Sequence, residues 1–260
     1  MPEERISDTT AELLLREARR INTPDFIPHD PVSFPRMYSD RRDVEIVSLL
    51  VSHISWGKRE MILRDAERML ALMDNKPYCF LMEKGYNDIP DTLNIHRTFF
   101  GAHLKDFMNG LRRVYSSCGS LEEYALKRGV AESEFPAWRL AELLCAEMEE
   151  AAGGRKCPRT IPSDLATSPI KRLNMALRWL VRRDGIVDIG LWQSFSPSKL
   201  FIPLDVHVAD TSRRLGLTSR KANDRKTAVE ITACLREVMP EDPVLLDFAL
   251  FGLGIERNKK

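Results

Sequence analysis

Apolar residues along this chain recur mostly at spacings of three and four, and period-two runs bounded by turn signals are scarce, so the pattern predicts an all-α protein. A first helix is expected over residues 10–21. Pro24, Pro28, Pro31 and Pro35 follow; with no N–H and a fixed φ at each, the stretch reads as an extended connector laid over the surface. Asp43 can cap the next helix, whose apolar face carries Ile46, Leu49, Leu50 and His53. Further helices fit residues 59–73, 103–115, 121–127 and 137–150, the last closed by Gly153-Gly154.

In the second half, Ser168-Pro169 combines a capping serine with a proline at the first helical position, ahead of a stripe of Ile170, Leu173, Leu177, Leu180 and Val181. Lys171 falls in the first turn of that helix. A loop with Trp192 and Ser196-Pro197-Ser198 leads to Ile202-Pro203-Leu204-Asp205, which opens a helix ended by Leu215-Gly216. Two more follow, one with Ala228, Ile231, Leu235 and Val238 inward, the other starting at Asp242-Pro243. Neither repeats nor low-complexity tracts interrupt the pattern.

At 260 residues and 43% hydrophobic content the chain can bury one large or two small cores. It lacks the ~20 uninterrupted apolar residues of a membrane span, and the acidic start Met1-Pro2-Glu3-Glu4 is unlike a signal peptide. A cytoplasmic protein is expected. Cys79, Cys118, Cys145, Cys157 and Cys234 are scattered without ligand spacing, which gives no support to a zinc or iron–sulfur site. The net charge is only +1, but residues 167–226 hold twelve Lys and Arg against five Asp, an excess of +7 that leaves the remainder at −6. That segregation suits either a face turned toward phosphates or ordinary solvated helix surfaces.

Two residues carry candidate chemistry. A first-turn lysine sits against the positive end of the helix dipole, where a further cation is disfavoured, and a neutral amine is the nucleophile a Schiff base needs. On spacing alone an ordinary solvated lysine is the better reading of Lys171. Asp205 is placed to cap a helix; the same backbone N–H groups that it caps would keep a carboxylate ionised and aimed at a developing cation.

Ile202-Pro203-Leu204-Asp205-Val206-His207 resembles the proline-x-Asp-x-His signature of the helix-hairpin-helix-GPD superfamily of base-excision glycosylases, and Lys171 resembles the lysine of its bifunctional members. Asp205 lies 34 positions after Lys171, longer than in endonuclease III and nearer the archaeal 8-oxoguanine glycosylases. A wider pattern is similar to the bacterial family called domain of unknown function 2400: Asp30-Pro31-x-x-Phe34-Pro35, Lys171-Arg172-Leu173-Asn174-Met175 with Leu177-Arg178-Trp179, and Ala249-Leu250-Phe251-Gly252. This second resemblance covers nearly the whole chain; the glycosylase motif covers residues 168–254.

The resemblance implies two helical subdomains, 1–42 with 200–260 and 43–199, with the site in a cleft between them. It implies a monomer acting on double-stranded DNA with a flipped base. Lys171 would attack C1′ and Asp205 would assist deprotonation and stabilise the cationic sugar. The base would lie between Met175, one turn after Lys171, and Phe251. Asp247, four residues before Phe251, would accept from N1–H and the exocyclic amine of a guanine-type base, and a backbone carbonyl could face the N7–H of an oxidised one. Phe251 in a core and Asp247 at the surface is the plain alternative. Ser52, His53 and Trp56 would line the pocket, although a core histidine explains His53 as well, and His207 would support Asp205. No redox cofactor is implied.

One departure from the superfamily stands out. Its hairpin glycines, whose amides hold a phosphate and often a monovalent cation, are replaced here by Leu165-Ala166-Thr167-Ser168-Pro169-Ile170. A serine-capped helix start with Ser168, Arg172 and Arg178 would then meet the DNA phosphates. A nucleic-acid-binding protein of the same fold without catalysis, and a scaffold protein with no nucleic-acid role, are the alternative readings.

Overall fold

The computed structural model describes residues 6–157, 159–162 and 164–257, with the side chains of 256 and 257 excepted. It is mostly helical. In chain order the α-helices are α1 (Asp8–Ile21), α2 (Arg41–Ile54), α3 (Arg59–Ala71), α4 (Pro77–Met82), α5 (Gly101–Ser117), α6 (Leu121–Lys127), α7 (Pro136–Ala151), α8 (Lys171–Val181), α9 (Val206–Arg214), α10 (Arg225–Val238) and α11 (Asp247–Arg257). A short antiparallel pair, β1 (Asn94–His96) with β2 (Phe99–Phe100), interrupts the helices. The chain divides into two compact units, Met1–Ile27 with Ala166–Lys260, and Pro28–Leu165.

These boundaries differ from those read in the sequence, which ran at 42/43 and 199/200. The proline-rich stretch is a series of 3-10 turns rather than an extended connector, at Pro24–His29, Pro31–Ser33 and Pro35–Met37. Proline's fixed φ suits the start of such a turn as well as it suits extended chain. Asp30 accepts from the Val32 amide at 3.1 Å, and Pro31, Val32 and Pro35 are buried. The later turns pack on α2 and α3, which binds them to the second unit.

In that second unit Asp40, not Asp43, caps α2 by accepting from the Arg42 amide at 2.8 Å. Asp43 instead accepts from the Tyr78 amide at 2.7 Å, at the start of α4. Glu45 works the same way from inside the core: fully buried, it accepts from the Leu121 and Glu122 amides at the start of α6 and from the Tyr115 hydroxyl. A buried carboxylate is tolerated there because a helix N-terminus supplies donors and partial positive charge. Helices α5 and α7 approach closely at Gly110, where any Cβ would meet the Met148 backbone at 3.0 Å.

The first unit is organised around α11, which packs on α1 and α9. Phe248, Ala249 and Leu250 are buried, and both glycines of Gly252-Leu253-Gly254 are contact points. A Cβ on Gly252 would reach within 1.8 Å of Ile21 Cδ1 on α1, and one on Gly254 within 3.1 Å of His207 Cβ on α9. Missing side chains thus bring both neighbours close to α11. Helix α8 buries Leu173, Ala176, Leu177, Trp179, Leu180 and Val181 in the same unit, and the loop after it adds Val187, Trp192 and Phe195. The tie from the Arg225 amide to the Thr167 carbonyl, 2.7 Å, joins the approach to α8 with the start of α10.

Candidate active site

Helix α8 begins two residues later than its sequence signals suggest, at Lys171. The Ser168 hydroxyl accepts from the Ile170 amide at 3.2 Å and so serves the turn before the helix. Ile170 itself takes the left-handed conformation, φ 39° and ψ 44°. For a β-branched residue this costs on the order of 1–3 kcal/mol. Burial offsets it, because Ile170 is 3% exposed and burying such a side chain contributes about 1.5–3 kcal/mol. Asn174 adds a clamp, its amide bonding the Ile170 carbonyl at 3.1 Å and its Nδ2 the Pro169 carbonyl at 3.0 Å.

The strained turn delivers Lys171 as the first helical residue. Its Nζ lies 3.3 Å from Asp205 Oδ2, with the two side chains 30% and 19% exposed. The other oxygen of Asp205 accepts from the Val208 amide at 2.9 Å, capping α9. Capping and pairing therefore occupy different oxygens of one carboxylate. The backbone bond fixes the direction of the group that faces the amine. A proton can pass between amine and carboxylate at this separation after a small approach, and both remain accessible to a reactant.

A chain of buried ion pairs runs beside them. Asp247, at the start of α11, is 4% exposed; its Oδ2 accepts from Arg178 Nη1 at 2.6 Å. Arg178 Nε donates to Asp188 Oδ1 at 3.3 Å. The other oxygen of Asp188 pairs with Arg182 Nη1, while Arg182 also reaches Asp242 at 2.9 Å and Asp184 at 2.8 Å. Asn22 Nδ2, at the end of α1, bonds Asp184 at 2.6 Å. Both guanidiniums lie over the Phe248 ring, at 4.5 and 5.6 Å.

Two arginines thus face four aspartates, and the two deepest carboxyls lie above the usual carboxylate range because they are buried. Burial pushes the Asp188 carboxyl up, against the pull of Arg178 and Arg182. Burial likewise lifts Asp247 to about 6, opposed by Arg178 and reinforced by the charge of Asp205. Asp247 Oδ1 has no hydrogen-bond partner among the described residues.

The other expected site residues divide between the two units. Met175 is half-buried on α8, one turn beyond Lys171, and Phe251 is half-buried with its ring edge-on to Phe26 at 6.4 Å. His207 is exposed on the first turn of α9, and Arg172 is half-buried. Arg178 was expected to meet DNA phosphates, but it is 6% exposed and committed to Asp188 and Asp247. His53 and Trp56 belong to the second unit. His53 is buried against Phe99 and Phe107, with ring centroids at 4.7 and 5.2 Å; Trp56 lies under the Arg97 guanidinium at 4.5 Å.

Much of the basic excess of residues 167–226 is also spent inside the fold. Arg183 donates to the carbonyls of Trp192, Gln193 and Phe195, Arg213 to those of Arg220 and Lys221, and Arg220 pairs with Asp224. Arg214, Lys221 and Lys226 remain exposed. The sequence reading missed Asp184, Asp188, Arg182 and Asp242 as parts of the site's support. The available signal was the four-residue spacing of Arg178 and Arg182, which puts both on one helix face.

Among the described residues no cluster of His, Cys, Asp and Glu has the makings of a metal site, and no helix is long and apolar enough to cross a membrane. The family described as "protein of unknown function (DUF2400)" matches residues 30–256, and the chain belongs to that family. No curated protein and no solved structure matches it.

Two measurements check this geometry. Glycine relieves the backbone strain at 170 and alanine does not, so Ile170→Gly should cost less stability in urea unfolding than Ile170→Ala, by about 1 kcal/mol; the usual order, with glycine the worse, would contradict the strained turn. Asp247 is protonated more in the fold than in the unfolded chain, so its contribution is full below about pH 4 and is lost as pH rises through about 6. The unfolding free energy of Asp247→Asn minus that of the wild type should therefore rise by on the order of 3 kcal/mol from about pH 4 to 7. A flat difference would show that Asp247 titrates normally.

Proposed function

We propose that the chain is a base-excision DNA glycosylase with β-lyase activity, of the helix-hairpin-helix-GPD type, acting on an oxidised purine such as 8-oxoguanine. The observation that carries this reading is the 3.3 Å approach of Lys171 Nζ to Asp205 Oδ2. Two residues far apart in sequence, each with an ordinary structural explanation, meet as amine and carboxylate. Both belong to the first unit, so their meeting is independent of the second.

In this mechanism Asp205 accepts a proton from the Lys171 ammonium, and the freed amine forms a bond to C1′ of the damaged nucleotide. The bond from C1′ to the base breaks; the base leaves with the electron pair and takes up a proton. Asp205, held by the Val208 amide, faces the positive charge that develops on the sugar. Opening of the sugar ring gives an imine between Lys171 and C1′. Loss of a 2′ proton then expels the 3′ phosphate, and water hydrolyses the imine. Each step uses the amine, the carboxylate and water, without a redox partner.

Recognition of the base falls in this reading to Met175 and Phe251, as apolar surfaces on either side of the flipped ring, and to the free oxygen of Asp247. Arg172 and the exposed Arg214, Lys221 and Lys226 are the candidates for phosphate contacts. The alternative is a binding protein of the same fold without catalysis, since the stretch that replaces the superfamily's hairpin glycines, with Ile170 at positive φ, departs from the catalytic members.

Borohydride reduction in the presence of a duplex containing 8-oxoguanine separates the two. A covalent adduct is expected with the wild type, none with Lys171→Gln, and formation slowed by about 10²–10⁴-fold with Asp205→Asn. An adduct that survives in Lys171→Gln would overturn the assignment. Salt-sensitive binding of the duplex with no adduct would establish the binding protein instead.

A further inference from the structure

A carboxylate buried as deeply as Asp247 normally has both oxygens satisfied, because an ionised group left short of partners inside a protein is costly. Here one oxygen is held by Arg178 at 2.6 Å and the other has no partner among the described residues. The fixed side is itself braced, since Arg178 Nε bonds Asp188 and Asp188 is held by Arg182. Arg182 in turn is anchored by Asp242 and Asp184 from the opposite side. Torsion of the Asp247 carboxyl is therefore restrained through two arginines, and the unused oxygen is held in place.

We propose that Arg178 is a positioning residue for substrate selection: by occupying one oxygen of Asp247 in a braced ion pair, it leaves the other as a fixed single acceptor for an N–H donor on the base. The inference rests on the glycosylase reading and narrows it. Recognition through both carboxylate oxygens, from N1–H and the exocyclic amine together, would require Oδ2 to leave or share its bond to Arg178. The single free oxygen serves the ring N–H of a lactam-type purine, and the exocyclic amine becomes dispensable.

The charge of Asp247 is part of the device, because only the ionised carboxyl offers Oδ1 purely as an acceptor. Burial opposes that form most, Arg178 from α8 favours it, and the charges of Asp205 at the cap of α9 and Asp188 in the loop after α8 oppose it. Arg182, just past the end of α8, is taken up by Asp188, and by Asp184 and Asp242. From α1 the buried charge, Glu17, is taken by Arg16 and Arg20, and the neutral Asn22 reaches Asp184.

The test uses the full chain with ¹³C-labelled aspartate and needs no enzymatic activity for its first half. The titration midpoint of Asp247 should move up in Arg178→Met, which removes a neighbouring cation, and down in Asp188→Asn, which removes a neighbouring anion. Arg178→Lys, which keeps the charge and the fold more readily, should leave the midpoint nearer the wild type. An Asp247 midpoint unmoved in both Arg178→Met and Asp188→Asn would overturn the proposal; should Arg178→Met not fold, an unmoved midpoint in Asp188→Asn does so.

The second half compares borohydride trapping on three duplexes, bearing 8-oxoguanine, 8-oxohypoxanthine, which lacks the 2-amino group, and an abasic site. Wild-type rates on the two bases should agree within about threefold. In Arg178→Lys the loss on either base should exceed the loss on the abasic duplex by at least about tenfold, since the abasic site offers nothing for Asp247 to read. Parallel loss on all three would reduce Arg178 to a structural role, and a wild-type preference of about a hundredfold for the 2-amino base would point to two-oxygen recognition; either overturns the proposal. If the wild type traps none of the three, the glycosylase reading fails and the titration midpoints alone decide whether Arg178 governs Asp247.

Discussion

The first unit depends on the compensation of buried charge along Arg182, Asp188, Arg178 and Asp247. None of these side chains is more than a few per cent exposed. Removing one member of such a chain leaves its partner charged and dry, which costs about 3–5 kcal/mol in comparable buried pairs. The arrangement therefore fixes where α8, its following loop and α11 stand relative to one another. Burial in the same chain lifts Asp247 toward neutrality against the pull of Arg178, and the charges of Asp205 and Asp188 add to the rise. Structural restraint and chemical poise come from the same residues.

The approach to α8 shows a second trade of stability for position. An isoleucine in the left-handed region is a poor local choice, and its retention requires the surrounding packing and the Asn174 clamp to hold the turn. What the turn achieves is the exit of Lys171 from the first helical position, against the carboxylate that caps α9. Asp205 is constrained in the complementary way, with one oxygen bound to backbone and one turned to the amine. Strain and capping thus converge on a single contact, and each is explained by local geometry before any function is invoked.

Much of this was legible in the sequence. Period and capping signals placed most helices within a residue or two, and α6 and the end of α9 at Leu215-Gly216 followed directly from the pattern. The positions of Lys171 and Asp205 were also visible, because first-turn and cap positions can be read from local signals, whereas Asp247 and Phe251 were singled out only through the resemblance to the glycosylases. The rest depended on distant partners. A proline-rich run is compatible with extended chain and with 3-10 turns, and only packing on α2 and α3 decides. Asp43 and Glu45 look like surface acids of one helix, yet each receives the amides of another. Arg178 and Arg182 read as part of a basic face because their aspartate partners come from the loop after α8, from the turn before α11 and from α11 itself. Charge counts along a sequence cannot tell a guanidinium that meets solvent from one that is already neutralised.

The proposed mechanism requires Lys171 to be the amine that reacts. Its most direct measurement is tandem mass spectrometry of the borohydride-reduced complex of the wild-type chain with an 8-oxoguanine duplex, mapping the residue that carries the sugar remnant. The added mass should fall on Lys171 alone. A remnant on another lysine or on the N-terminal amine would contradict it.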